Sequence, residues 1–209
     1  MYSVDLDQPA AVTDRLELLL SDEERDAPAP IRIARATVRV VLAEALGADP
    51  AAVTISRRCE HCGHPTHGRP TVPGAPGISF SLSHSGSFAV VALAAGGERV
   101  GVDVEEIRPR ARLHALAARV LSAEEHDAWL ALSDEADRLR SFLLAWTAKE
   151  AYLKALGIGI ATRLRDVPAR VDGWRTAELD AGAGRVAALA VDRTEFEVQH
   201  LEPFTAISP

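Results

Sequence analysis

Phe142-Leu143-Leu144-Ala145-Trp146-Thr147-Ala148-Lys149-Glu150-Ala151-Tyr152-Leu153-Lys154-Ala155-Leu156-Gly157-Ile158-Gly159-Ile160 is the stretch on which the reading of this chain turns. At about 100° per residue, Leu139, Phe142, Leu143, Trp146 and Leu153 fall on one narrow helical stripe. Glu150 falls in the middle of that stripe, with Lys149 and Lys154 on either side. An amphipathic helix keeps its carboxylates on the wet face. One on the buried face must be paired, protonated or bound to a metal. Two readings stay open here. One is a plain ion pair to Lys154, four residues on in the favourable order. The other is a functional carboxylate.

Upstream lies Arg99-Val100-Gly101-Val102-Asp103-Val104-Glu105-Glu106. The three valines point one way along a strand, and Asp103 and Glu105 point the other. The two acids share a face, with Cα atoms roughly 7 Å apart. Carboxylates this close repel unless a cation sits between them. Oxygen ligands on a rigid strand suit Mg²⁺, which often bridges substrate phosphates. The plainer reading is an edge strand with a polar outer face. Before it, Ile78, Phe80 and Leu82 alternate with Ser79, Ser81 and Ser83, which predicts a strand with one wet face ending at His84 and Ser85. Phe88–Leu93 returns as the second strand of a hairpin. Turns are expected at Gly68-Arg69-Pro70, at 73–77 and at Gly96-Gly97.

Nearer the N-terminus, Ser21 to Glu24 reads as a capping box for a short helix cut by Pro28 and Pro30. Residues 31–46 carry a strong helical pattern with Gly47 as its C-cap. Arg32, Arg35 and Arg39 lie off the apolar face, either simply solvated or available to phosphates. Val53-Thr54-Ile55 is a short strand candidate. Cys59, Cys62, His64 and His67 could hold zinc, but all four ligands would come from one short loop. Reduced cysteines in a loop is the plainer reading. Downstream, Arg108, Arg110, Arg112, His114 and Arg119 form a basic run without an acid. Ser122 to Glu125 is a second capping box, starting a helix through Leu132, and the next helix starts near Asp134. Strands at 169–171, 175–179, 185–192 and 195–201 then read as a meander.

With 209 residues, 47% of them hydrophobic and 25% charged, the chain can bury a sizeable core. A net charge of −7 argues against general nucleic-acid binding. The start, Met1-Tyr2-Ser3-Val4-Asp5, lacks the pattern of a signal peptide, and the apolar runs are too short to span a bilayer. Two cysteines make no disulfide framework. A cytoplasmic protein is expected, acting neither on nucleic acid nor at a membrane. Three carboxylates with Mg²⁺ and nearby Lys, Arg and His make a site for a pyrophosphate-bearing substrate. No Walker or GxGxxG loop is present to suggest another nucleotide enzyme. A protein with this arrangement that has lost catalysis would lack one of the acids or lysines, and none is missing.

At Gly101-Val102-Asp103-Val104-Glu105 and at Trp146–Ile160 the chain resembles the Sfp-type 4′-phosphopantetheinyl transferases. Looser matches are Gly68-Arg69-Pro70 and Phe80–Ser85. The resemblance implies an α+β fold of two similar α/β halves in a pseudo-twofold arrangement, 1–97 on the coenzyme A side and 98–209 carrying the Mg²⁺ and catalytic motifs, joined near Gly96. It implies transfer of 4′-phosphopantetheine from coenzyme A to a serine of an acyl or peptidyl carrier protein, with release of 3′,5′-ADP, by a monomer. Asp103, Glu105 and Glu150 would be the Mg²⁺ ligands. Glu150 would also be the general base, and Lys154 would meet the leaving phosphate. Arg69, Ser83, His84, Lys149, Lys154 and Arg35 would contact coenzyme A. The chain departs from the family at Ser81, where Asn is common, and at Asp26–Pro30, where a basic cluster is usual. The pathway served, whether fatty acid, polyketide or nonribosomal peptide, is left open.

Overall fold

Two three-stranded antiparallel sheets frame the protein in the computed structural model, which describes residues 1–6, 10–58, 62–65, 68–158 and 162–200. Strands β1 (Tyr2–Asp5), β2 (Ser79–Ser85) and β3 (Phe88–Ala94) pair in the order β1-β3-β2. Strands β4 (Val100–Glu106), β5 (Arg175–Leu179) and β6 (Arg185–Val191) pair in the order β4-β6-β5. Both sheets therefore follow one plan: a leading strand, a helical stretch, then a hairpin whose second strand is central. This is the α+β fold with two similar halves that the sequence led us to expect.

The helical stretch of the first half is α1 (Ala10–Glu17), α2 (Asp22–Arg25) and α3 (Ala29–Leu46). The capping box at Ser21 and Glu24 forms as the sequence indicates, and Gly47 ends α3 in the left-handed conformation, φ 61°. In the second half it is α4 (Leu113–Val120), α5 (Ala123–Ala131) and α6 (Glu135–Leu156). Ser122 caps α5 with Glu125 in a second box, and the Asp134 side chain accepts from the first N–H groups of α6. Helix α3 buries Val38, Val41 and Leu42 against Phe80 and Val91 of the first sheet. Helix α6 crosses β4 and β6 and buries Phe142 and Leu143 with Trp129 of α5 and Val186 of β6.

The two sheets are joined by serine hydroxyls in place of a backbone ladder. The Oγ atoms of Ser79, Ser81, Ser83 and Ser85 accept from the backbone N–H groups of Val100, Val102, Val104 and Glu106, at 3.2, 3.1, 3.3 and 3.1 Å. The constant offset means that β2 and β4 run side by side in the same direction. All four serines are buried, so the wet face expected of β2 is instead a dry seam. The period of 2 was correct. Which face met solvent was not, because a hydroxyl can be buried once it satisfies a backbone donor.

Gly101 lets α6 lie directly on this seam. A Cβ built there would stand 1.9 Å from the Ala151 carbonyl oxygen and 2.6 Å from the Ala155 nitrogen. Only a residue without a side chain permits that approach.

Several local expectations fail. Val53-Thr54-Ile55 is not a strand; the chain there follows a 3₁₀ turn at Pro50–Ala52 and makes one bridge, Ser56 to Thr71. Residues 169–171 lead into a turn in which Trp174 N–H donates to Val171 O at 3.0 Å. Phe196 and Val198 pack on an apolar cluster between the sheets rather than extending either sheet. The meander is therefore β5 and β6 alone among the described residues. Conversely, β1 was not anticipated: its four residues are too few to show a period, and pairing with β3 defines it. The zinc question at Cys59, Cys62, His64 and His67 falls partly outside the described residues, since Cys59 and His67 are not among them.

Candidate active site

The seam carries the chemistry. On β4, the face that bears Val100, Val102 and Val104 goes into the apolar core, and the opposite face bears Asp103 and Glu105. Asp103 is 6% exposed, so it too is buried rather than on a wet strand face. Its Oδ1 accepts from Lys154 Nζ at 2.7 Å and from Ser83 Oγ at 2.8 Å. Its Oδ2 is buried with no hydrogen-bond partner. Lys154 also donates to Ser83 Oγ at 3.0 Å and to Val102 O at 3.3 Å. One residue from each of three sequence motifs thus meets at a single point.

Glu150 does not pair with Lys154. It makes no hydrogen bond or ion pair among the described residues, and Lys154 is committed to Asp103. Half-burial raises the Glu150 carboxyl above the ordinary carboxylate range, and the Asp103 charge raises it further. Lys154 offsets part of this, and Glu105 adds to it. The Asp103 carboxyl is also raised, because burial outweighs the opposing pull of Lys154 and Ser83. Each acid feels the other's charge, so Asp103, Glu105 and Glu150 form one electrostatic cluster. Glu105 itself accepts from Arg110 Nη2 at 2.5 Å and from Ser85 Oγ at 3.3 Å, both on Oε2. Among the described residues the acids do not close into a ready-made metal cage.

The other site residues divide. Ser83 sits at the centre of the cluster. Arg69 meets β2 four residues before Ser83, where it donates to Ser79 Oγ at 3.0 Å. Its side chain packs on Gly157, the left-handed C-cap of α6, where a Cβ would come within 2.9 Å of the Arg69 Cβ. His84 lies exposed near the end of β2, on the opposite face from Ser83 and in line with Phe80 and Leu82. That face is continuous with a groove lined by Arg35, Arg57, Phe80 and Leu82. Lys149 is not brought to the cluster. It is 3% exposed, and its ammonium donates to Glu125 at 2.6 Å and to Val120 O at 2.9 Å. The helical wheel placed it beside Glu150, but α5 supplies its partner.

Of the arginines on α3, Arg32 is held by Glu17 and by Ala27 O. Arg39 is buried against Glu24 at 2.8 Å, rather than on a solvated helix face. Arg35 is left facing Arg57, whose pKa is lowered by burial and then by Arg35 itself, with Glu24 opposing. Arg57 was not singled out from the sequence, where it looked like part of a loop. Arg110 was assigned only to a basic run, because nothing in the sequence says that the chain after β4 folds back on Glu105.

Known proteins resemble this chain in sequence. A model of the 4′-phosphopantetheinyl transferase superfamily matches residues 99–202, about half the chain. The 4′-phosphopantetheinyl transferase HetI of Nostoc sp. is 29% identical over 214 residues, covering 91% of this chain and 86% of that protein. A 4′-phosphopantetheinyl transferase of Bacillus subtilis is 28% identical over 196 residues, covering 87% and 82%. Among solved structures, the holo-[acyl-carrier-protein] synthase of Thermotoga maritima matches 44% of this chain and 61% of its own, at 23% identity and a TM-score of 0.36.

Proposed function

The chain belongs to the 4′-phosphopantetheinyl transferase superfamily, and we propose that Asp103, Glu105 and Glu150 hold a Mg²⁺ ion at the seam between its halves. The enzyme transfers the 4′-phosphopantetheine group from coenzyme A to a carrier protein. The observation that carries the site assignment is the meeting of Lys154, Ser83 and Asp103, with Glu150 unpaired alongside. The donor set fits a hard cation. Asp103 Oδ2 is buried without a partner, and Glu150 makes no ion pair among the described residues, Lys154 only offsetting part of its shift from a distance. When bound, the cation neutralises charge on the substrate pyrophosphate.

The protein's own groups take the remaining roles. Glu150, more basic than an ordinary carboxylate, accepts the proton of the carrier serine. Lys154, anchored by Asp103 and Ser83, places a positive charge where the leaving phosphate develops its own. Arg69 on one side, and Arg35 with His84 on the other face of β2, lie along the first half and contact coenzyme A. In this reading residues 1–97 form the coenzyme A side and 98–209 the catalytic side. No described helix is long and apolar enough to cross a membrane, and the reading is completed by a monomer in the cytoplasm that modifies an acyl or peptidyl carrier protein.

The test is to incubate the protein with coenzyme A, Mg²⁺ and an apo carrier protein and weigh the carrier. A gain of one phosphopantetheine on the carrier serine, lost when Mg²⁺ is chelated, is expected. No gain on acyl or peptidyl carriers would overturn the carrier assignment; transfer that survives chelation would overturn the metal assignment.

A further inference from the structure

Two of the three acids already carry a cation of the protein's own. Lys154 holds Asp103, and Arg110 holds Glu105. Lys154 has further partners in Ser83 and Val102, which fix it in place. Arg110 differs. It comes from the connection after β4, five residues beyond Glu105, and its contact with the acid is one-handed. An arginine matched to a carboxylate for strength gives two parallel N–H donors. Here Nη2 alone donates, and Nε is buried with no acceptor. Both donors to Glu105, Arg110 and Ser85, fall on Oε2. The pair is thus strong enough to place the side chain and incomplete as a hydrogen-bonded unit.

We propose that Arg110 is a built-in counter-cation for Glu105 that competes with the divalent ion, so that metal binding displaces it from the acid. This rests on the assignment of Glu105 as a metal ligand. Without a metal, Arg110 offsets the mutual repulsion of Asp103, Glu105 and Glu150. With a metal, the cluster has its positive charge from the ion, and Arg110 is repelled by it. The guanidinium then rejoins Arg108 and Arg112 on the basic run. The contact therefore sets how much metal the enzyme needs.

The experiment is a calorimetric titration of Mn²⁺ into the full chain without coenzyme A. It compares the wild type with Arg110→Ala, Arg110→Gln and Arg108→Ala. Arg110→Gln keeps the side-chain stem and serves in place of Arg110→Ala if the latter does not fold. Loss of the competing pair should tighten Mn²⁺ by about two- to fivefold in the Arg110 variants, the range expected of a partly exposed ion pair. Arg108→Ala removes the same charge without the contact and should leave the affinity near wild type. Unchanged or weaker Mn²⁺ binding in the Arg110 variants overturns the proposal. So does equal tightening in Arg108→Ala, which would mean general charge rather than a contact. Absence of Mn²⁺ binding in every protein overturns the metal assignment itself, and this inference with it.

Discussion

Lys154 of α6 reaches Asp103 of β4 at 2.7 Å, and Glu150, one turn back on the same helix, is left without an ion-pair partner among the described residues. The two elements can meet this way because Gly101 removes any side chain between them. The pairing decides which acid is neutralised within the protein and which stays available. It also makes Asp103 structural as well as chemical. Asp103→Ala should abolish transfer and lower stability by about 1–3 kcal/mol, because Lys154 and Ser83 both lose their acceptor. Denaturant unfolding and carrier mass measured on the same sample check both parts.

Lys154→Ala is expected to leave Asp103 buried without a counter-charge and to reduce turnover by about 10²–10³-fold, the usual size for loss of one charged transition-state donor. Substrate affinity should change less than turnover. Steady-state kinetics with saturating carrier and varied coenzyme A separate the two.

Glu150 gives a pH signature. Its carboxyl is raised in the folded chain relative to the ordinary value of 4.5. Between that value and the folded one, the native state binds more protons than the unfolded state. The slope of unfolding free energy with pH is then negative. The stability associated with the protonated form is present at low pH and is lost as pH rises through the folded value. Glu150→Gln removes the Glu150 part of this slope, Asp103 keeping its own contribution of the same sign, and in metal-free buffer it should be at least as stable as the wild type at neutral pH. A simple ion pair with Lys154 would predict a loss of about 0.3–0.5 kcal/mol instead. Melting temperatures from pH 4 to 8 in chelator decide between them.

Gly101→Ala should be among the most damaging single methyl additions in the chain. The new Cβ meets backbone atoms, which cannot rotate away. The helix must retreat, taking Glu150 and Lys154 from Asp103. We expect a lower melting temperature together with loss of transfer, whereas Gly47→Ala, where a Cβ would meet nothing within 4 Å, should show only the modest strain of its left-handed backbone.

The serine seam predicts a graded series. Ser81→Ala leaves the buried Val102 N–H without an acceptor and should cost about 1–3 kcal/mol with little effect on turnover per folded molecule. Ser83→Ala should cost a similar amount and also impair catalysis, since the same hydroxyl holds Asp103 and Lys154. Equal catalytic loss in both variants would contradict the distinct place given to Ser83.

Much of this site was legible in the residues alone. A carboxylate on an apolar helical stripe, two acids on alternate positions of a strand, and a histidine at a strand end are local patterns, set by periods of 3.6 and 2 along the backbone. Caps at Ser21, Gly47 and Ser122 are equally local, and all appear as the sequence implies. What periodicity cannot supply is the partner across space. It offered Lys154 only Glu150 as a partner, set Lys149 beside Glu150, left Arg39 solvated or open to phosphates, and made the face of Ser79, Ser81 and Ser83 wet. Each was decided by an element remote in sequence: β4 for Lys154, α5 for Lys149, α2 for Arg39, and the unpaired edge of β4 for the serines. A buried polar group is stable only if its donors and acceptors are met, and which groups meet is fixed by how the two sheets and their helices pack.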